Sequence, residues 1–303
     1  MLDAMSQADL GDELGLSPPP KVGTACRSDR DLQRADGCAR IVLSGSERGT
    51  RIDDIFERSP IRIMFPRSAH RAVEEAVLIN VAGGIAGGDR LESCVTALPY
   101  ASIAMTSQAA EKVYRALHDP ASVSTKLTVR ESAKLAWLPQ ETIVFNSARL
   151  HRTTEIDLTS GAEILALEWL VLGRAARGET VTSGNIIDRW HVKKDGRLIW
   201  ADTFRVNDEI FPHLNRKALL SGCNSIATLV YFGPDLEKRL GLLRDILPSL
   251  SCNCGVTLVG GLIVGRFAAK DSSYLRFALR SLLEQFGPEV GSGPFGVPKM
   301  WLC

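Results

Sequence analysis

The chain has 303 residues, of which 45% are hydrophobic and 23% charged, and its formal net charge at pH 7 is +1. This length can bury a large core, and the near-zero charge gives no basic surface for nucleic acid or an anionic membrane. No run of about 18 apolar residues predicts a membrane-spanning helix. Because acids stand where a signal peptide has a basic region, we expect a cytoplasmic protein.

The cysteines are odd in number and irregularly spaced, which is typical of reduced intracellular thiols and not of a disulfide framework. They stand at positions 26, 38, 94, 223, 252, 254 and 303. Cys252 and Cys254 form a C-x-C pair that could hold a soft metal ion. No third or fourth ligand follows nearby, whereas zinc sites usually contain two ligand pairs.

The chain changes character near residue 38. Residues 1–37 contain acids, three consecutive prolines and no hydrophobic periodicity, so we expect a disordered N-terminal extension. Residues 38–303 are expected to form a single β-rich domain. Its first elements are strands, because ARIVLSGSERGTRIDDI alternates apolar runs with Gly and Ser turns, and SPIRIMFPR lies between two prolines.

A dense glycine segment follows, with Gly83, Gly84, Gly87 and Gly88 preceding Asp89. Such density indicates positive φ angles or very close neighbours. A phosphate-binding loop is excluded, because Asp89 stands where a Walker lysine would be and a β-patterned run follows where a helix would begin. We expect a tight glycine corner between two strands.

A loose repeat follows the glycine corner. Three segments share a turn, an alanine and an apolar residue two places on, with the alanines at 101, 133 and 162, which are 32 and 29 residues apart. This spacing is typical of supersecondary units that stack on one another. Between the first two copies, residues 123–129 alternate in polarity as a half-buried strand does. The pattern predicts stacked β-strands resembling a β-helix or solenoid.

Residues 164–172, ILALEWLVL, are apolar on both faces of a predicted strand except at Glu168. A carboxylate in such a strand must be paired, hydrated or bound to a metal ion, because an isolated buried charge is very costly. An ion pair with Arg174 or Arg177 is the structural alternative. The next segment, LGRAARGET, contains Glu179 and predicts an exposed polar turn.

The last third adds helices to the predicted strands. Lys194-Asp195-Gly196-Arg197 predicts a hairpin turn, and residues 255–267 predict a strand pair around two glycines. Leucines at helical spacing predict amphipathic helices over 234–247 and 272–286. The overall prediction is a mainly β fold with about two such helices, which either cover the core or present a surface to a partner.

No catalytic motif stands out. The sequence has no paired histidines at metal-binding spacing and no G-x-S-x-G nucleophile elbow. Asp89, Glu141, Glu168 and Glu179 could supply the two carboxylates that a glycosidase on a β-helical scaffold requires. A carbohydrate-active enzyme and a plain β interaction module therefore stay open as alternatives at this point.

Five phrases occur in order across residues 38–302: GGIAGGDRL, TSQAAEKVYR, LAWLPQETIVF, LGRAARGET and PKMWL. Together they resemble the UreD family of urease accessory proteins, which is also called UreH. The first 37 residues lie outside the resemblance. Ala82 stands where the family commonly has proline, and the acidic residue of the family's leucine-rich strand is Glu168 here.

The resemblance implies a non-catalytic role. Members of this family are scaffold chaperones that bind apo-urease and, with UreF and the GTPase UreG, deliver Ni²⁺ to the urease metallocentre. They have a mostly β fold and no stably bound cofactor, and a water-filled passage is thought to lead nickel inward from the side that faces UreF. The C-terminal helices, residues 234–286, are then expected to contact a UreF-like partner.

The resemblance also suggests residues for the nickel route. Asp89 would orient the glycine corner, Glu168 would face the passage, and Glu179 would steer the ion at its mouth. Partly hydrated carboxylates attract a divalent cation without trapping it. An ordinary structural ion pair is the alternative for each of the three. Further residues could form a polar lining: Gln108, Lys112, Arg115, Glu141 and Arg174.

Overall fold

The computed structural model describes residues 34–46, 49–66, 74–174, 177–290 and 293–302. Within these ranges the chain forms two large β-sheets and two α-helices, which confirms the mainly β prediction. Most of the predicted extension, 1–37, lies outside the described residues, and the first strand already includes Asp36 and Gly37. None of the described helices is long and apolar enough to cross a membrane.

The first sheet, sheet A, has the strand order β14-β13-β11-β8-β5-β1-β2. Its strands are β1 (Asp36–Ser46), β2 (Gly49–Arg58), β5 (Arg90–Ala97), β8 (Ala121–Val129), β11 (Arg149–Leu158), β13 (Asn185–Lys194) and β14 (Arg197–Val206). The central strands β1, β5, β8, β11 and β13 are parallel. The outermost strands, β2 and β14, pair antiparallel with their neighbours.

The second sheet, sheet B, has the main strand order β16-β17-β15-β12-β9-β6-β4-β3. Its strands are β3 (Ile61–Met64), β4 (Glu75–Asn80), β6 (Ser102–Ser107), β9 (Lys134–Leu138), β12 (Glu163–Leu172), β15 (Ser225–Phe232), β16 (Asn253–Val259) and β17 (Leu262–Ala269). The short strands β7 (Glu111–Val113) and β10 (Thr142–Val144) form a parallel side ladder with β12. Along the main path, β4, β6, β9 and β12 are parallel, whereas β12, β15, β17 and β16 pair antiparallel.

The stacked coils arise from the predicted repeat. A strand of sheet A enters a tight turn, passes a buried alanine and continues as a strand of sheet B, at Ala101, Ala133 and Ala162. The turns stack directly, because the amide after one alanine donates to the carbonyl of the alanine below: Lys134 to Ala101 at 2.7 Å and Glu163 to Ala133 at 2.9 Å. Small side chains are required where successive coils approach so closely.

Two apolar layers hold the fold together. The first lies between the sheets and includes Leu43, Leu127 and Ile164, and the second lies between the outer face of sheet B and the helices. Helices α1 (Leu236–Ile246) and α2 (Ser272–Glu289) cover that outer face. In α2 the buried residues recur at helical spacing, and each fully buried leucine contributes about 1.5–3 kcal/mol.

Local turn chemistry agrees with the sequence. Asp195 and Gly196 have φ angles of 50° and 76°, the two positive values that a type I′ hairpin requires, and they join β13 to β14. The predicted strand pair over 255–267 is the hairpin β16–β17. Asp271 caps α2 by accepting the backbone N–H of Ser273 at 2.7 Å.

Candidate functional site

A row of polar side chains crosses the inner face of sheet B. Side chains alternate between the two faces of a strand, and Glu168 therefore points into the space between the sheets with the apolar residues at 166, 170 and 172. Glu168 pairs in register with Thr228 of β15, and Thr228 pairs with Arg266 of β17. The row thus runs from the middle of the core toward the edge formed by β17 and β16.

A second polar row crosses the inner face of sheet A. Arg152 of β11 pairs in register with Asp188 of β13. Both side chains occupy inward positions, since the buried residues at 150, 154, 186 and 190 share their faces. Asp202 of β14, which pairs in register with Trp190, lies on the same face one step along the strand, where it forms an ion pair with Arg266 across the gap between the sheets.

The two rows meet at Arg152. Its guanidinium donates from both Nε and one terminal nitrogen to the two carboxylate oxygens of Asp188, at 2.8 and 2.7 Å. The same Nε lies 3.2 Å from Oε2 of Glu168. All three side chains are at most 7% exposed. Glu168 is therefore in an ion pair, as the structural alternative held, but its partner is Arg152 and not Arg174 or Arg177.

Glu168 receives two further hydrogen bonds. Trp137 of β9 donates its indole Nε1–H to Oε1 at 2.8 Å. Thr154 of β11 lies with its hydroxyl 3.1 Å from both carboxylate oxygens. Buried charges persist only when their hydrogen-bonding capacity is met in this way, and the network therefore holds Glu168 in one orientation.

Burial governs the protonation of this network. Burial raises the pKa of Glu168 above its ordinary value, and the Arg152 charge opposes that rise. For Arg152, burial alone would lower the pKa, but the carboxylates of Asp188 and Glu168 outweigh it and raise the pKa above its usual range. The guanidinium stays charged at every physiological pH.

A cavity of about 490 Å³ opens beside the network, between the edge strands of the two sheets. It is lined by Arg152, Glu168, Asp188, Asp202, Arg266 and apolar or uncharged neighbours. Six waters occupy roughly 180 Å³ at about 30 Å³ each, so a hydrated metal ion fits inside. Three carboxyl groups face two guanidinium groups, so the cavity carries an excess negative charge, which favours a cation, when Glu168 is ionised.

Glu179 lies outside this cavity lining, in the turn after β12. It makes a two-pronged ion pair with Arg174, whose Nε and terminal nitrogen each lie 2.9 Å from a carboxylate oxygen. The hydrogen bond from Arg174 lowers the pKa of Glu179. Arg174 also stacks over Phe145, with its guanidinium carbon 4.1 Å from the ring centroid. The pair stabilises the turn at the surface.

Asp89 closes the glycine corner. Its two carboxylate oxygens accept the backbone N–H groups of Ala35 at 2.9 Å and Ala86 at 2.7 Å. Gly84 and Gly88 have φ angles of 153° and 87°. A Cβ atom at Gly84 would lie 2.5 Å from the ring of Tyr114. Both reasons for glycine, positive φ and a close neighbour, apply here.

The three predicted carboxylates occupy separate places. Residues 85, 113, 144 and 172 lie side by side on successive strands, so the glycine corner and the Arg174–Glu179 turn are three strand spacings apart, about 14 Å. Glu168 lies four residues along β12 from this ladder, a further 13 Å or so. Of the three, only Glu168 lines the cavity. Among the described residues no group of three or more His, Cys, Asp or Glu side chains could hold a metal ion.

Comparison with known proteins assigns the family. A family model described as UreD urease accessory protein matches residues 35–302. The chain belongs to the UreD family. It is 38% identical over 274 residues to the urease accessory protein UreD of a Chelativorans species, covering 90% of this chain and 96% of that protein. It is 39% identical to the UreD proteins of a Methylobacterium species and of Mesorhizobium japonicum, covering 84% and 89% of this chain and 92% and 94% of those proteins.

Three of the phrases that resemble the UreD family meet where the C-terminal segment docks. The side-chain amide of Gln140 donates to the carbonyls of Gln108 and Met300, at 2.8 and 3.1 Å. Arg276 of α2 donates to the Glu141 carboxylate at 3.0 Å. Gln108 and Glu141 were predicted as possible lining residues. They instead take part in these contacts with the C-terminal segment and α2, and they do not line the cavity.

The other predicted lining residues lie at the surface. Lys112 is exposed on β7, and Arg115 is exposed in the following turn, where its backbone bridges to Ala148. Neither lines the cavity. Arg174 forms the ion pair with Glu179 in the turn after β12.

Of the two C-x-C cysteines, Cys254 is part of the cavity lining and Cys252 is not. Burial raises the pKa of Cys252 to about 12, with a further contribution from Cys254, and burial also raises the pKa of Cys254. Both thiols are therefore protonated at neutral pH in the absence of a metal ion.

Sequence reasoning missed Arg152 and Asp188, the two residues that complete the buried network. A signal for them existed. In the segment 150–158 apolar residues alternate except at Arg152 and Thr154, and in 186–192 they alternate except at Asp188. A charge at the inward phase of a strand indicates a buried ion pair. The identity of the partner could not follow, because it depends on the register between two sheets.

Proposed function

We propose that this chain is a non-catalytic scaffold for urease maturation that acts in the cytoplasm. It would bind apo-urease and, with UreF and the GTPase UreG, enable nickel to enter the urease metallocentre. The observation that carries the accessory role is the UreD family match over residues 35–302. The relatives it resembles are each named urease accessory protein UreD.

The buried charged cavity supports a route for nickel. Ni²⁺ accepts oxygen ligands, and a site with few carboxylates releases it more readily than a thiolate cage. The cavity offers Glu168, Asp188 and Asp202 in a space with room for a hydrated ion. We propose that nickel passes through this cavity as cargo, with Glu168 facing the route.

Asp89 and Glu179 would support the route indirectly. Asp89 ties the glycine corner to the chain that precedes β1, through the N–H groups of Ala35 and Ala86. Glu179 would steer the cation from the surface turn, where its side chain is 18% exposed. Because Asp89 and Glu179 lie far from Glu168, they would act at successive points of the route and not in one shared binding site.

The proposed UreF contact involves the exposed face of α2. Tyr274 and Phe277 are 60% and 66% exposed and lie three residues apart, so they stand on the same side of the helix. Large aromatic side chains are enriched at protein interfaces. We propose that this aromatic pair, with the neighbouring C-terminal segment, contacts a UreF-like partner.

Co-expression tests the proposed function. Apo-urease is expressed with the other accessory proteins, with and without this chain, and nickel per active site and urease activity are measured. We expect both quantities to collapse without the chain and to return with it. Normal loading in its absence would refute the accessory role. Loading that requires the chain but does not depend on nickel supply would favour a plain interaction module.

A further inference from the structure

Arg152 occupies a position that a metal ion could take. Its guanidinium lies between two buried carboxylates, 2.7 Å from Oδ2 of Asp188 and 3.2 Å from Oε2 of Glu168. Hydroxyl oxygens lie nearby, since Arg152 donates to Thr142 at 3.2 Å and Thr154 contacts Glu168. Without the guanidinium, two carboxylates and two hydroxyl groups would face one another around an open centre.

Such an oxygen-rich centre would bind a divalent cation tightly. Carboxylate and hydroxyl oxygens are ligands for hard and borderline divalent ions, and two uncompensated carboxylates in an apolar core attract a cation strongly because the local dielectric constant is low. A route for nickel needs the opposite property, because an ion that binds tightly is not passed on. The cavity adjoining Glu168 and Asp188 provides access to this centre.

We propose that Arg152 is a built-in competitor for the cation, which keeps Glu168 and Asp188 from retaining nickel. This inference rests on the proposed nickel route. The guanidinium offsets one of the two negative charges of the carboxylate pair when no ion is present, and it competes with an ion that arrives. Its side chain lines the cavity, so it has space into which it can move when a cation approaches the carboxylates.

An arginine suits this task better than a lysine. Its guanidinium remains protonated even when buried and satisfies both oxygens of Asp188 while reaching Glu168. A lysine has one compact ammonium group, which shifts its pKa when buried and cannot span the two carboxylates in the same way. Competition by lysine should therefore be weaker.

The test is a gain of nickel binding in the purified full-length chain. Arg152→Met removes the charge and keeps most of the side-chain volume. With NiCl₂ as the probe in equilibrium dialysis, we expect about one Ni²⁺ per chain and at least tenfold tighter binding than in the parent. Thermal unfolding should show a nickel-dependent rise in Tm for the variant, larger than for the parent. Arg276→Met is the matched control, because it releases Glu141 outside the cavity.

Two further variants guard against a folding defect in Arg152→Met. Arg152→Lys retains a buried cation, and we expect its nickel affinity to lie between those of the parent and Arg152→Met. Arg152→Met combined with Glu168→Gln and Asp188→Asn removes the whole ionic trio, and we expect it to fold without gaining nickel binding. A parent-like nickel affinity in folded Arg152→Met would overturn the proposal, as would equal binding by the triple variant. If Arg152→Met does not fold, a parent-like affinity in Arg152→Lys overturns it.

Nickel loading of urease separates this inference from the proposed function. If Arg152→Met retains nickel and lowers nickel per urease active site at limiting nickel, with recovery at excess nickel, the competitor role is supported. If the parent chain supports loading but Arg152→Met binds no extra nickel, the competitor role alone is wrong. If urease loads without the chain, the nickel route and the competitor role built on it both fail.

Discussion

At the scale of single residues, the buried carboxylate Glu168 depends on donors from both sheets. Trp137 supplies one of them from β9, through a hydrogen bond of 2.8 Å. A hydrogen bond to a charged group contributes about 1.5–3 kcal/mol. The Trp137 indole therefore has a role in the network beyond its apolar packing.

Replacing Trp137 by Phe should reveal this contribution. Trp190→Phe is the matched control, because Trp190 is equally buried and its Nε1–H has no hydrogen-bond partner among the described residues. Both changes remove the same volume. We expect Trp137→Phe to lower the free energy of unfolding by about 1.5–3 kcal/mol more than Trp190→Phe. Urea unfolding measures the difference, and equal losses would argue against a charged Glu168 that needs this donor.

At the scale of elements, the glycine corner packs closely against the turn that contains Ala116 and Asp119. Gly87 is not among the glycines with positive φ, but an added Cβ would lie 2.5 Å from the Cβ of Ala116 and 2.7 Å from the carbonyl oxygen of Asp119. The corner also forms hydrogen bonds to β7, from the amide of Ile85 to the carbonyl of Lys112 at 2.7 Å. Steric contact, and not conformation alone, requires glycine at 87.

Substituting alanine at two glycines separates these effects. Gly87→Ala should destabilise the chain by about 1–3 kcal/mol because the corner must shift to accept the methyl group. Gly241→Ala is the control: Gly241 lies in the exposed face of α1 with open space around it, and alanine there should stabilise by about 0.5–1 kcal/mol. Thermal unfolding of both variants measures the signs. A stable Gly87→Ala variant would show that the corner is loosely packed.

Elements with local causes could be predicted from the sequence. The alanine turns, the Asp195-Gly196 hairpin and the two leucine-rich helices each depend on residues close together in the chain, and all three occur as expected. The buried network of Arg152, Asp188 and Glu168 could not be predicted in the same way. Arg152 meets Glu168 across the two sheets, and that contact depends on the stacking register of coils that the sequence pattern does not specify.

At the scale of the whole molecule, the C-terminal third is part of the fold as well as a candidate docking region. Truncation before Pro234 would remove β16, β17 and both helices, and would expose the apolar outer face of sheet B. Loss of partner binding after such a truncation would not distinguish a docking surface from an unfolded chain. Surface substitutions are therefore needed.

The exposed aromatic pair on α2 provides them. Tyr274→Ser with Phe277→Ser should weaken binding to a UreF-like partner at least tenfold, because it removes two large contact residues, while Tm stays unchanged. Ile55→Ser with Phe56→Ser is the matched control, since these residues on β2 are also exposed, at 41% and 44%. Co-purification measures the effect. Unchanged binding by the α2 variant would exclude this face as the contact.

The nickel route is the central claim, and one substitution tests it most directly. Glu168→Gln removes the charge that faces the cavity but keeps the side-chain shape. Glu155→Gln, on the outer face of β11, is the control. Nickel per urease active site is measured in cells limited for nickel, after co-purification has confirmed that the accessory complex is assembled. We predict a marked loss of nickel with Glu168→Gln and normal loading with Glu155→Gln. Normal loading by an assembled Glu168→Gln complex would contradict a nickel route past this residue.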